Sequence, residues 1–287
     1  DLPSDQVLVA STGVIGVELP VERIEQNIKK IVLEDQIDSA ARAIMTTDTV
    51  EKTAEVKVMI NNTEITLTGL CKGSGMIHPN MGTMLAFIMT DCRIDHHLLQ
   101  KALLENTQKT FNRVSVDGDT STNDMCIVLA NGLAGNKKID TENKDFEVFK
   151  AALKTVMQSL AIQIAKDGEG ASRLITCKVA HAENEDQAET LAKSIVSSSL
   201  CKAAMFGHDA NWGRVLCAMG YSEAQFDPSK VDVSFASRAG IVNVCSKGKG
   251  IEFSEETASS ILSEPEIEIL VDLNDGKEEC VCWGCDL

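Results

Sequence analysis

The stretch Lys72–Leu85 (KGSGMIHPNMGTML) fits no regular helix or strand, and the rest of the chain can be understood around it. Two glycines follow the lysine, and glycine can adopt positive φ and let another group approach the backbone closely. Pro79 excludes a helix interior and a central strand position. Gly82 leaves the peptide bond before Thr83 uncrowded, as a hydroxyl requires if it is to attack its own preceding carbonyl. The stretch therefore indicates a constrained loop with a candidate nucleophile at its end.

The segments on either side of this loop have the pattern of β-strands. Val56–Ile60 and Glu64–Leu70 alternate apolar and polar residues, with two asparagines between them, and so predict a β-hairpin. The second strand of this hairpin leads directly into Lys72. Residues 83–90 are apolar enough to form a buried strand. The loop is thus predicted to connect two strands.

Periodic apolar residues predict a mixed fold of helices and sheets. The clearest helix is Asp145–Lys166, whose apolar residues form one face. Other helical stripes cover Val21–Glu34, His97–Phe111 and Gln187–Leu200. Short strands are predicted at 6–10, 124–131, 231–235, 241–245, 267–271 and 279–285. A change of pattern near Leu174 predicts a catalytic domain over residues 1–174 and a smaller α/β domain over residues 175–287.

Composition excludes several classes of function. The net charge is −16, which makes binding to nucleic-acid phosphates unfavourable. No apolar run approaches the roughly 20 residues that span a bilayer, so no membrane partner is expected. Most of the ten cysteines are scattered through apolar segments, as is typical of reduced, buried thiols. We therefore expect a cytoplasmic protein, or an organelle-matrix protein in a eukaryote.

Two clusters suggest metal sites but lack the full set of ligands. Cys280, Cys282 and Cys285 provide three thiols, whereas a structural zinc site needs four ligands. The acids of 117–124 lack the EF-hand spacing and its terminal glutamate. Asp117 and Asp119 also resemble the nucleophile loop of haloacid dehalogenase-like phosphatases, but the expected Gly-Thr is absent. No metal is expected, and phosphatase activity is kept as the least favoured alternative.

Three motifs together resemble the ornithine acetyltransferase family, the glutamate N-acetyltransferases of arginine biosynthesis. They are Lys72–Asp91, Phe111–Asp124 and Phe206–Arg214, the last with Ala210 where the family usually has proline. The resemblance covers nearly the whole chain in the right order. It implies a fold of layered helices and sheets of the self-cleaving aminopeptidase/ornithine acetyltransferase type. It also implies that family chains extend further at both ends, with an asparagine and a Ser/Thr in the C-terminal tail that contact substrate.

The resemblance assigns the catalytic residues. A family precursor cuts itself just before a threonine, which by position is Thr83, after Gly82. The new N-terminal threonine is then the acyl-transfer nucleophile, and a neighbouring free α-amine can act as its base. Thr12 and Gly13 match the Thr-Gly pair that stabilises the oxyanion. A glycine-containing turn can present backbone N–H groups to an anion, so this assignment is chemically reasonable.

The resemblance also assigns the residues that bind substrate. Thr46 lies in the Met-Thr-Thr-Asp-Thr motif, where the family places a substrate-binding threonine. Lys72 suits the α-carboxylate of an acylated amino acid. Glu169, between two glycines, would pair with the amino group of ornithine or of the attacking amino acid.

The implied activity is transfer of the acetyl group from N2-acetylornithine to glutamate through an acetyl-threonine intermediate. No cofactor is implied, although some family members accept acetyl-CoA as a co-substrate. The implied assembly is a heterotetramer of two α and two β chains. One alternative is an amidase or aminopeptidase of the same self-cleaving fold, and another is an inactive fragment acting as a binding or assembly protein.

Overall fold

The computed structural model describes residues 3–4, 7–32, 34, 36–78 and 84–286. Gly82 and Thr83 lie outside the described residues. The helices are α1 Val21–Ile28, α2 Ile37–Ala43, α3 His96–Lys109, α4 Lys144–Lys166, α5 Glu185–Ser197, α6 Ser199–Phe206, α7 Trp212–Gly220 and α8 Glu255–Leu262. The strands are β1 Lys52–Ile60, β2 Thr63–Lys72, β3 Leu85–Thr90, β4 Val114–Ser115, β5 Met125–Ala130, β6 Leu174–Ala182, β7 Asp232–Ser237, β8 Gly240–Ser246, β9 Lys249–Gly250, β10 Glu266–Asp272 and β11 Glu278–Cys285.

The strands form two sheets, with the orders β1-β2-β3-β5 and β4-β11-β6-β10-β7-β8-β9. The predicted class of layered helices and sheets is therefore confirmed. Within the described part of the chain, no helix is both long and apolar enough to cross a membrane.

The first sheet begins with the predicted hairpin. Asn61 and Asn62, at its turn, both have positive φ, a conformation that asparagine tolerates well. β2 then pairs antiparallel with β3, so that Lys72 lies opposite Leu85. β3 pairs in parallel with β5, which places Leu85 opposite Met125. The two ends of the Lys72–Leu85 stretch thus lie side by side at one end of this sheet.

Helix α4 covers one face of this sheet, as its apolar stripe predicts. Its first turn is capped by the side chain of Asn143, which accepts hydrogen bonds from two backbone N–H groups. At Gly69 on β2, an added Cβ would lie 2.9 Å from side-chain carbons of Val156 and Leu160. The absence of a side chain at Gly69 lets the helix approach the sheet closely, and this contact sets where the C-terminal end of α4 lies.

The second sheet is mixed. β6 pairs in parallel with β10 and antiparallel with β11, and β7 pairs antiparallel with both β10 and β8. Its hydrophobic core includes Leu191 from α5, Phe235 and Ile269. β11 confirms the strand predicted at 279–285, and its three cysteines are buried free thiols.

The hydrophobic core consists of two clusters. One runs from Ile60 to Leu174 and the other from Ile175 to Cys282, but Trp283 and Cys285 belong to the first cluster. β4 also crosses over, since it pairs with β11 in the second sheet. The division into residues 1–174 and 175–287 stays a prediction.

The sequence prediction is wrong over the N-terminal segment. Residues 7–10 of the strand predicted at 6–10 have no regular structure, and residue 6 lies outside the described residues. A strand needs a partner for its backbone N–H and C=O groups, and no described strand lies beside this segment. Helix α1 is shorter than its apolar stripe predicts, and none of its residues is buried.

Candidate active site

A cavity of about 920 Å³ lies at the end of β2, where residues from 11–19, the loop after α2, the loop before β5 and the loop after α4 come together. It brings together five of the residues predicted from the sequence: Thr12, Gly13, Thr46, Lys72 and Glu169. They come from segments far apart in the chain, so the tertiary fold assembles them. The predicted nucleophile Thr83 lies outside the described residues, but Leu85, two positions later in the sequence, is paired with Lys72.

Lys72 supplies a buried cation at the cavity. It is the last residue of β2 and is only 3% exposed. Its Nζ lies 3.4 Å from the hydroxyl oxygen of Thr46. Burial lowers the pKa of Lys72, while the negative charges of Asp48, Asp124 and Glu169 act in the opposite direction. An ammonium held in this way attracts a carboxylate, because its remaining N–H donors have few competing water molecules.

Glu169 lies at the exposed rim of the same cavity, just beyond the C-terminal end of α4. Its backbone N–H donates to the carbonyl of Ser74 at 2.8 Å, which ties the loop after α4 to the loop after β2. The side chain lies directly against Gly75, where an added Cβ would be 2.5 Å from Cδ and Oε1. The prediction that a glycine here permits close approach to the backbone is therefore confirmed for Gly75.

Replacing Gly75 with alanine should displace the Glu169 carboxylate while leaving the core intact. Because a misplacement of about 1 Å can cost roughly 100-fold in rate, we expect kcat/KM to fall by about 10- to 100-fold. Steady-state kinetics with the two substrates that the resemblance implies, N-acetylornithine and glutamate, would measure this change. Gly220→Ala is the matched control, since nothing lies within 4 Å of an added Cβ there. Unchanged kinetics in Gly75→Ala would show that the position of Glu169 does not matter.

Asp117 anchors the loop that precedes the predicted cleavage point. Its carboxylate accepts hydrogen bonds from the backbone N–H groups of Met76 and Ile77, the latter at 2.9 Å. The next residue, His78, has its Nδ1 2.9 Å from the hydroxyl of Ser115, and burial lowers the pKa of His78. The carboxylate of Asp117 is thus occupied by backbone donors, a structural role that gives no support to the phosphatase hypothesis.

The sequence analysis did not single out Asp124, which immediately precedes β5. The adjacent Met125 N–H donates to the carbonyl of Met84 at 2.9 Å, so Asp124 lies beside the residue that follows Thr83 in the sequence. Both carboxylate oxygens are buried, and among the described residues neither has a hydrogen-bond partner. Burial raises the pKa of Asp124 to about 6, and the positive charge of Lys72 opposes this only in part. Its place at the end of the Phe111–Asp124 motif, where a strand is predicted to begin, was the only sequence signal.

This raised pKa makes stability depend on pH in a defined direction. Between its usual value of 3.8 and about 6, the folded chain holds the Asp124 proton more tightly than the unfolded chain. Stability is therefore lost as pH rises through this window. In a Thr83→Ala background, which should stay uncleaved, Asp124→Asn should raise Tm above pH 6 and leave it unchanged below pH 4. Melting curves from about pH 3 to 8 would measure this, with the exposed Asp119→Asn as control. The same Tm difference at every pH would contradict the assignment.

Three further residues of the cavity wall have no role predicted from the sequence. These are Ser121, Thr122 and Asn123, and the Thr122 hydroxyl donates to the side-chain oxygen of Asn123 at 2.7 Å. They add neutral hydrogen-bonding groups to a cavity whose lining also contains the charged Lys72 and Glu169. The motif Phe111–Asp124 carries part of the family resemblance, but it does not indicate which of its side chains line the cavity.

A largely apolar cavity that also presents a buried ammonium, a carboxylate at its rim and several hydroxyls is typical of an enzyme that binds a small zwitterionic molecule. The chain belongs to the ArgJ family, whose model matches residues 1–287.

Two bacterial relatives of this chain carry the ArgJ name. The chain is 51% identical over 286 residues to "Arginine biosynthesis bifunctional protein ArgJ 1" of Clostridium acetobutylicum, covering 99% of this chain and 70% of that protein. It is 50% identical to the ArgJ protein of Thermotoga neapolitana, covering 100% of this chain and 73% of the relative. The crystal structure of ArgJ from Bacillus halodurans is similar with a TM-score of 0.67 and 44% identity, over 70% of this chain and 93% of that one.

Proposed function

We infer that this protein is a glutamate N-acetyltransferase of arginine biosynthesis, which moves the acetyl group from N2-acetylornithine to glutamate. The observation that carries this conclusion is the shared cavity of Lys72 and Glu169 in a chain of the ArgJ family. An N-acetylated amino acid has an α-carboxylate that suits the Lys72 ammonium. Glu169 then offers a carboxylate to the amino group of ornithine or of the incoming glutamate.

The reaction requires a nucleophile, and we propose Thr83. Its hydroxyl first attacks the carbonyl of Gly82, and the C–N bond between Gly82 and Thr83 breaks to leave an ester and the free α-amine of Thr83. Water then hydrolyses the ester, which releases the Gly82 carboxylate, restores the Thr83 hydroxyl and separates the two chains. In each catalytic cycle, that amine takes the proton from the hydroxyl as Oγ attacks the acetyl carbon. The bond from the acetyl carbon to the ornithine nitrogen then breaks, and ornithine leaves with the proton. The α-amine of glutamate attacks the acetyl-threonine ester, and Thr83 regains its hydroxyl.

The tetrahedral intermediate of each half-reaction carries a negative oxygen. We propose that Thr12 and Gly13 donate to it, since both lie on the cavity wall. One such donor is worth about 3–4 kcal/mol in the best-studied hydrolase. We propose that Thr46 helps to bind the substrate, because its hydroxyl lies beside the Lys72 ammonium.

The proposal extends to the assembly and surroundings of the enzyme. Self-cleavage at Gly82/Thr83 would give two chains, and we propose a heterotetramer of two α and two β chains. We also propose a cytoplasmic location, or an organelle matrix in a eukaryote, and no cofactor beyond acetyl-CoA as an optional co-substrate. Light scattering on the purified protein would measure the assembly directly.

The decisive experiment compares two acceptors for the acetyl group. With N-acetylornithine as donor, added glutamate should capture the acetyl group as N-acetylglutamate much faster than water releases acetate. Both products can be followed in one reaction by mass spectrometry. Acetate as the main product would instead identify an amidase of the same fold. No turnover of N-acetylornithine by a properly folded chain would favour the binding-protein alternative.

A further inference from the structure

Beneath the cavity lies a cluster of three charged side chains that does not line it. Lys52, the first residue of β1, has its Nζ 2.6 Å from Asp48 Oδ1 and 2.6 Å from Asp167 Oδ2. The side chains of Lys52 and Asp48 are fully buried, and that of Asp167 is 7% exposed. One buried ammonium thus holds two buried carboxylates.

Asp48 connects this ammonium to two of the predicted substrate-binding residues. Its Oδ2 accepts from the backbone N–H of Thr46 at 3.1 Å. Its Oδ1 accepts from the backbone N–H of Gly73 at 2.7 Å, immediately after Lys72. A single carboxylate therefore fixes the loop that carries Thr46 and the end of the strand that carries Lys72. Its charge also favours the protonated form of Lys72.

Asp167 connects the same ammonium to the third predicted substrate-binding residue, Glu169. It directly follows the last residue of α4, two positions before Glu169, and accepts from the backbone N–H of Thr49 at 3.0 Å and from the Thr49 hydroxyl. The intervening Gly168 is tightly enclosed, since an added Cβ would lie 2.7 Å from the sulfur of Cys285. With Asp167 held and Gly168 enclosed, the backbone has little freedom before it reaches Glu169.

Stability alone is a weak explanation for such a cluster. A buried ion triad can often be replaced by apolar residues with no loss of stability, because removing the charges from water costs about as much as their attraction returns. What distinguishes this triad is that each segment it joins carries one of the predicted substrate-binding residues Thr46, Lys72 and Glu169. The segments are the loop after α2, the end of β2 and the loop after α4.

We propose that Lys52, through Asp48 and Asp167, is a positioning residue that holds Thr46, Lys72 and Glu169 at the spacing required by an N-acylated amino acid. This inference rests on the proposed function. Lys52 touches no substrate, and it acts by fixing the distance between the cation and the carboxylate that bind the two ends of the substrate.

The test needs a variant that folds. Lys52→Met would leave two buried carboxylates without a cation and is expected to unfold the protein. Asp167→Asn is milder, because it keeps a hydrogen-bond acceptor for Thr49 and leaves the Lys52–Asp48 pair balanced. Its matched control is Glu189→Gln, which likewise removes one of two carboxylates from a mostly buried cation, Arg113, while Glu185 remains.

We expect Asp167→Asn to raise KM for N-acetylornithine by about tenfold or more, as misplaced binding groups do, while Glu189→Gln stays within about twofold of the parent. The same pair should be compared for N-acetylornithine binding by calorimetry in a Thr83→Ala background, which requires no turnover. A Tm lowered equally by both substitutions, with KM and affinity unchanged in Asp167→Asn, would overturn the proposal and leave the cluster a structural one.

The two measurements separate this inference from the proposed function. If the parent protein transfers no acetyl group but the Thr83→Ala chain binds N-acetylornithine, the proposed function fails. Weaker binding by the Asp167→Asn chain would then still support the positioning role. If the Thr83→Ala chain binds no N-acetylornithine at all, both proposals are overturned.

Discussion

Thr83→Ala is expected to abolish both self-cleavage and acetyl transfer. Without the hydroxyl, nothing attacks the Gly82 carbonyl, so the chain stays whole and no α-amine is released. Removing both the nucleophile and its base should lower the transfer rate by roughly 10⁴-fold or more. Intact mass would show one uncut chain in place of two fragments that meet at Gly82/Thr83, and a coupled glutamate assay would measure transfer.

Thr83→Ser is the control for this substitution, because serine keeps the hydroxyl and loses only a methyl group. It should cleave and retain measurable transfer. Since Thr83 lies just before a buried segment, melting curves should accompany both variants to show that they fold. Cleavage of Thr83→Ala at the same peptide bond, or transfer at the parent rate, would exclude Thr83 as the nucleophile.

Lys72→Met should produce the second largest loss. Methionine keeps much of the apolar stem that is buried at the end of β2 but removes the ammonium. A hydrogen bond to a charged group is worth about 1.5–3 kcal/mol, so kcat/KM for N-acetylornithine should fall by about 10- to 150-fold, mainly through KM. The exposed Lys57→Met, on the same hairpin, is the matched control and should behave like the parent.

The pH profile gives an independent check on Lys72. Because burial lowers the pKa of Lys72, its ammonium should be lost at a lower pH than that of an exposed lysine. Substrate affinity should therefore fall on the alkaline side of the profile, as pH rises through this lowered pKa. In Lys72→Met this alkaline loss should disappear. A parent and a variant with the same alkaline limb would show that another group controls it.

The charged groups of the site form a single electrostatic unit. Lys72 carries the positive charge at the cavity, and Asp48, Asp124 and Glu169 all favour its protonated form. Asp48 keeps its charge although burial would raise its pKa, because the Gly73 N–H, Lys52 and the Thr46 N–H lower it. Changing any one of these acids should therefore alter the protonation of Lys72 as well as the local geometry.

The sequence by itself determined the elements with strong local patterns. The hairpin followed from alternation around two asparagines, and α4 followed from its apolar stripe, because both signals depend on neighbours in the chain. Motif resemblance predicted Thr12, Gly13, Thr46, Lys72 and Glu169 as site residues without a structure. The structure brings all five to one cavity, and their roles in the reaction stay predictions. The local apolar pattern, in contrast, wrongly predicted a strand at 6–10. A strand depends on a neighbouring strand to pair with, and the local pattern does not reveal whether one is present.

Only the tertiary structure decided how these residues meet. The place of Glu169 against Gly75 depends on the close packing of α4 on β2, which brings residues about a hundred positions apart into contact. The burial of Lys52 between Asp48 and Asp167 could not be predicted, because lysine and aspartate are usually solvated and nothing local distinguishes this lysine. Asp124 was missed for the same reason. The charge and burial of a side chain are set by its neighbours in space, and these neighbours exist only once the sheet and α4 have packed together.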